Sequence, residues 1–333
     1  METQIGRANS ELKSVDLATF LRCPPPKWLI AGLLQSGGLS VLYGLPGSGK
    51  TFLAVDIACA VATGRQWNER STVGGAVLYV ATEDPSGVAV RLRAYCEEYS
   101  LLEEEVDLRA WRNGLNLLED KSVESLIDEV KSIEHLKLVV VDTFAQSMPG
   151  DENSSQNMGQ AIRSLQRIRS AADCSLLVIH HAGKDTSRGM RGWSGLEGAT
   201  DTVICLSDRS GIIEAKVERH RNWSAGEKIQ FRLRVRPIKM GDVGTLSCVL
   251  DYLDIQALEG PPLGDLQMRL IEAHTRLSEM GQDPITDQMI VQELRSTGTT
   301  SYRLDNINRS IRSLRDRGVL PTVEEFPSSP PPL

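Results

Sequence analysis

The chain has 333 residues, 24% of them charged and 41% hydrophobic, with a formal charge of −7, which suits a soluble globular protein of one large and one small domain. The acidic balance excludes a surface that binds nucleic acid everywhere and confines any such contact to a local basic patch. No stretch approaches the ~20 apolar residues of a membrane span, METQIGRANSELK has no apolar signal core, and the six cysteines lack any Cys-x-x-Cys; these features predict a cytoplasmic protein with reduced thiols and no membrane partner.

Residues 1–38 read as a lead-in, in which the rigid turn Pro24-Pro25-Pro26 is followed by WLIAGLL. From 39 to 257, apolar strand-like runs alternate with helical patterns, which predicts an α/β domain built on a mostly parallel sheet. Its strands are LSVLY, AVLYVAT, LKLVVVD and CSLLVIH, and a hairpin of DTVICLS and IIEAKVE finishes one edge. Its helices are FLAVDIACAVAT, ended by Gly64, then GVAVRLRAYCEEY, VESLIDEVKSI and MGQAIRSLQRIRSAA. LEGPPLGD, residues 258–265, reads as a linker. Three helical patterns in 266–321 predict a helix-turn-helix or winged-helix module, and 322–333 reads as a disordered tail. Charge is uneven, with an acidic stretch from Glu97 to Asp107 and a basic one from Lys216 to Arg236, each readable as a solvated face.

The first strand runs straight into Gly44-Leu45-Pro46-Gly47-Ser48-Gly49-Lys50-Thr51 and a helix, the context that a phosphate-binding loop requires. Its glycines let backbone N–H groups turn toward phosphate oxygens with the helix dipole behind them. Lys50 would reach the β and γ phosphates and Thr51 would hold Mg²⁺, so ATP and Mg²⁺ are the expected cofactors. Asp142, at the end of LKLVVVD, is the expected magnesium-site acid, unless it merely caps the next turn. Glu83, at the end of the second strand, is the expected residue to orient and activate the attacking water, and Asp84-Pro85 starts the next helix, unless both acids simply face solvent in a loop. CSLLVI runs into His180 and His181, one of which reads as a buried, hydrogen-bonded histidine, and His180 is the expected γ-phosphate sensor. The glycine-rich loop 182–198 carries Lys184, Arg188, Arg191 and Trp193, and reads either as a grip on a nucleic-acid backbone or as a plain surface loop. Arg219 and Arg221 share one face of a strand with no carboxylate partner apparent, which makes one of them a candidate arginine finger into a neighbouring subunit.

PPPKWLIAGLL, GLPGSGKT, YVATEDP, LVVVDT, VIHHAGK and RGWSGLEGATDTV, in this order, resemble the RepA-like hexameric helicases, a branch of the RecA/DnaB-type ATPases grouped with the AAA-25 family. The resemblance implies a RecA-like core over roughly residues 20–255, a ring of subunits with ATP between neighbours, and translocation on single-stranded DNA. It assigns Lys50 and Thr51 to the phosphate loop, Glu83 to catalysis, Asp142 to the metal and His180 to sensing. The family's Lys-x-Arg-Asn is matched by Arg219-His220-Arg221-Asn222, which favours Arg221 as the finger. The principal expectation is therefore a ring-forming, hexameric, Mg²⁺-dependent ATPase and DNA helicase in replication of a plasmid, phage or mobile element. The rivals are a RecA-class recombination or repair ATPase and an ATP-switched regulator whose carboxyl-terminal domain binds duplex DNA or a protein.

Overall fold

The computed structural model describes residues 14–183, 190, 195–241, 243–253, 265–282, 284–297, 302–316 and 320. The chain forms two compact units, one of residues 1–208, 216–227 and 233–250, the other of 209–215, 228–232 and 251–333. A short exposed helix, α1 (Leu17–Phe20), begins where the Asp16 carboxylate accepts from the Thr19 N–H. The lead-in then forms an antiparallel pair, β1 (Trp28–Ile30) and β2 (Leu34–Gln35), and buries Leu29, Ile30, Leu33 and Leu34.

Beyond it come β3 (Leu39–Gly44), α2 (Lys50–Thr63), β4 (Ala76–Ala81), α3 (Pro85–Glu98), β5 (Leu108–Trp111), α4 (Asp120–Ser132), β6 (Leu136–Asp142), α5 (Phe144–Ser147), α6 (Ser155–Ala172), β7 (Ser175–His181) and α7 (Gly195–Ala199). The run ends in β8 (Thr202–Arg209), β9 (Ile212–His220), β10 (Lys228–Met240) and β11 (Val243–Leu253). The strands form one sheet in the order β11-β10-β9-β8-β3-β7-β6-β4-β5, and every pairing from β8 to β5 is parallel. The α/β fold with a mostly parallel sheet is thus what the alternating pattern produces. β3 and β4 are buried along their whole length, as parallel strands covered on both faces must be. Val123, Leu126, Ile127 and Val130 of α4 recur at helical spacing and face the core shared with α6, β6 and β7.

β10 and β11 are absent from the sequence reading, which treats the basic residues of β10 as part of a solvated run. β10 instead buries Ile229, Phe231 and Ile238. Its Arg234 and Arg236 pair with Glu98 of α3 at 2.5 and 3.0 Å, so part of the basic stretch meets part of the acidic one. The thiols are free; Cys59 and Cys174 are buried, whereas Cys23 is exposed.

The carboxyl-terminal segment forms α8 (Asp265–Glu279), α9 (Asp287–Ser296) and α10 (Leu304–Asp316) around Leu270, Ala273, Ile290, Leu294, Ile307 and Ile311. Among the described residues of this segment there are helices and no strand. Except for Asp265, which opens α8, the expected linker lies outside the described residues, as does the expected disordered tail. No helix among the described residues is long and apolar enough to cross a membrane.

Candidate functional site

β3 delivers the glycine-rich loop to the carboxyl edge of the sheet, beside the ends of β4, β6 and β7, where an open α/β sheet places its ligands. Gly47 and Gly49 hold φ of 77° and 85°, a region that side chains with a Cβ rarely adopt. A Cβ on Gly44 would lie 2.5 Å from the Leu206 carbonyl oxygen and 2.7 Å from Ser48 Oγ, so only glycine fits there. Gly49 caps α2 without a side-chain hydrogen bond, and the loop therefore ends on the positive pole of a 14-residue helix.

The loop forms one wall of a cleft of about 240 Å³ lined by Lys50, Thr51, Phe52, Glu83, Asp84, Val88, Arg91, Asp142, Thr143 and His181, among others. Lys50 is buried, and its Nζ donates to the carbonyls of Gly44 at 3.1 Å and Leu45 at 2.7 Å. Burial lowers its pKa, and the charges of Asp142 and Glu83 oppose that shift. Asp142 accepts from the Tyr79 hydroxyl at 2.8 Å. Burial raises its pKa; the Tyr79 and Thr51 hydroxyls and the Arg91 charge pull it down, and Glu83 pushes it up. A buried carboxylate beside a loop hydroxyl fits a Mg²⁺ ion that also takes phosphate oxygens, which is how Mg²⁺ is ordinarily held.

Glu83 is fixed by a clasp between strand ends. The Thr82 and Glu83 N–H groups both donate to the Asp142 carbonyl, at 2.8 and 3.3 Å, and Thr82 Oγ1 accepts from the Thr143 N–H at 3.0 Å. The Glu83 carboxylate accepts from Thr143 Oγ1 at 2.9 Å and remains 46% exposed toward the cleft. Asp84 takes the role of helix cap, accepting from the Gly87 N–H at 2.8 Å.

The sensor assignment to His180 requires correction. Its side chain is fully buried and meets the Phe144 ring edge-on, with centroids 5.1 Å apart. Successive residues of a strand face opposite sides, so it is His181 that reaches the cleft, with Nε2 3.9 Å from Glu83 Oε2. The sequence shows that the two histidines face opposite sides, but not which side meets the cleft. Arg91, Phe52 and Val88 were missed because they project from two helices into a space that only packing defines.

The arginine pair is placed differently from its expectation. Arg219 donates to the Glu197 carbonyl. Arg221 donates to the Gly198 and Thr200 carbonyls and does have a carboxylate partner, Asp201, at 3.4 Å. The Arg221 N–H also donates to the Asp201 carbonyl, and Asp201 Oδ2 accepts from the Leu39 N–H at 2.9 Å. Arg221 thus lies at the amino end of β3, roughly 17 Å along the strand from the loop at its carboxyl end. Lys184, Arg188, Arg191 and Trp193 lie outside the described residues. Among the described residues no group of three or more His, Cys, Asp or Glu forms a dedicated metal cage.

Comparison with known proteins adds relatives to this geometry. The family model described as an AAA domain matches residues 7–187, more than half of the chain. The chain is 22% identical over 219 residues to the DNA repair and recombination protein RadB of Methanococcus maripaludis, covering 62% of this chain and 92% of that one. It is 25% identical over 219 residues to the protein of the same name from Halobacterium salinarum, covering 62% and 87%. A crystal structure of the RadB recombinase aligns with a TM-score of 0.46 at 22% identity, over 60% of this chain and 88% of that one.

Proposed function

The chain belongs to the AAA domain family, and from that premise we propose that it is a Mg²⁺-dependent ATPase that works on DNA in recombination or repair. The observation that carries the hydrolytic part is the convergence of Lys50, Thr51, Asp142 and Glu83 on one cleft at the carboxyl edge of the sheet. Lys50 and the loop N–H groups bind the phosphates. Mg²⁺ held by Thr51 and Asp142 would neutralise charge on the β and γ oxygens. Glu83 orients a water on the γ phosphorus and takes its proton as the bond to the β-bridging oxygen breaks, and ADP and phosphate leave. His181, within reach of Glu83, is the group that would register loss of the γ-phosphate.

The DNA part is supported by the names of the two relatives, which favour recombination and repair over the ring helicase that the sequence resemblance implied. In this reading the protein is a homo-oligomer on single-stranded DNA, and Arg219 and Arg221 meet the nucleotide of a neighbouring copy. Their place at the far end of β3 from the loop supports a contact between copies rather than within one. The test is ATP turnover with and without single-stranded DNA, alongside negative-stain images. DNA-stimulated turnover on open filaments with strand pairing supports the proposal; closed rings that unwind duplex return the helicase. Lys50→Ala abolishes turnover if the cleft is the ATPase site, and a Lys50→Ala chain that hydrolyses at the parental rate removes the hydrolytic reading.

A further inference from the structure

A second cation lies in the cleft besides Lys50, and no motif points to it. Arg91 projects from α3, one turn beyond Val88, and lines the same cavity as Glu83, Asp84 and Asp142. Its guanidinium lies 4.7 Å from the centre of the Phe52 ring, on the residue that follows Thr51. Its carboxylate contact is a long one, 3.5 Å from Nη1 to Asp84 Oδ2. Its Nε is buried with no hydrogen-bond partner among the described residues. A buried donor left unpaired costs free energy, so an acceptor brought to this Nε would be favoured. Arg219 and Arg221, in contrast, already donate to carbonyls at the other end of the sheet.

The acceptor can be identified by what surrounds it. Glu83, Asp84 and Asp142 mark the end of the cleft where the γ-phosphate would be attacked, and the Arg91 charge is felt at Asp142, where it favours the carboxylate. A guanidinium at that end of a triphosphate site meets phosphate oxygens, for which its planar fork is suited. We propose that Arg91 is a catalytic residue that acts within its own protomer, turning from Asp84 and Phe52 to donate to the transferring phosphoryl group. Charge accumulates on the phosphoryl oxygens as the bond to the leaving ADP breaks, and the guanidinium offsets it; no proton is transferred by Arg91. The inference rests on the ATPase reading of the cleft.

The experiment compares Arg91→Ala, Arg91→Lys, Arg221→Ala and Lys50→Ala, alone and in mixed assemblies, by steady-state turnover and by binding of a fluorescent ATP analogue. Arg91→Ala should lower kcat by about 10²- to 10³-fold, with nucleotide affinity changed by less than about tenfold, and Arg91→Lys should recover part of the loss. Arg91→Ala should also fail to trap ADP with aluminium fluoride, which mimics the transferring phosphoryl group. Mixing Arg91→Ala with Lys50→Ala should restore nothing, because each chain lacks part of its own cleft. Mixing Arg221→Ala with Lys50→Ala should restore turnover if Arg221 works across a boundary. Parental kcat in Arg91→Ala overturns the proposal, as does loss of affinity alone, which would mark a base contact, or rescue by Lys50→Ala, which would place Arg91 in a neighbour's site. A Lys50→Ala chain with parental turnover overturns the ATPase reading instead, whatever Arg91 does. Circular dichroism of Arg91→Lys separates misfolding from a chemical effect.

Discussion

Gly44 shows how little freedom single residues have around the phosphate loop. A methyl group there would collide with a backbone carbonyl, which cannot swing aside as a side chain could. Gly44→Ala should therefore displace the loop and weaken nucleotide binding by at least about tenfold, read by titration with a fluorescent ATP analogue, while Gly114→Ala, with open space around it but a φ of 71°, should cost only ~1 kcal/mol of stability. Asp142 illustrates the opposite trade. Because burial raises its folded pKa, the protonated form is favoured in the fold, and the destabilising charge develops as pH climbs through that raised value. Asp142→Asn should accordingly raise the melting temperature at pH 7 and abolish Mg²⁺-dependent turnover. The gain in stability should vanish as pH falls below ~4, where an unperturbed aspartate is itself protonated.

At the scale of elements, the sheet shows why two strands escaped the sequence reading. KIQFRLRVRPIKM alternates in the manner of a strand, but its polar positions are nearly all basic, and nothing local names their partners. The partners are on α3, far away in sequence: Glu98 takes both Arg234 and Arg236, and the Glu97 carbonyl accepts from Arg236 at 3.0 Å. These ion pairs are partly exposed, so their worth is modest. Glu98→Gln should cost about 1 kcal/mol in urea melts at low salt, and less than half of that in 1 M NaCl. A loss that does not depend on salt would mean that Glu98 acts through packing.

For the whole molecule, the helical unit has a core of its own. Ile311 is fully buried there, among Leu270, Ile290 and Ile307. Ile311→Ala should remove about 2–4 kcal/mol from that unit. Calorimetry of the full chain should show two transitions, of which this substitution lowers one. A single transition shifted as a whole would show that the two units melt together.

The phosphate loop, the acids Glu83 and Asp142 and the α/β architecture were legible in the sequence because each rests on local rules. A glycine-rich turn needs its glycines at fixed offsets, and a buried parallel strand reads as one apolar run that ends where its ligand begins. Only the tertiary structure decided which of two adjacent histidines faces the cleft, that Arg221 has Asp201 beside it, and that Arg91 stands in the nucleotide cleft. Those outcomes depend on distances between segments far apart in the chain, such as α2 against α3. Such distances follow from how side chains fill space together, which no window of sequence contains.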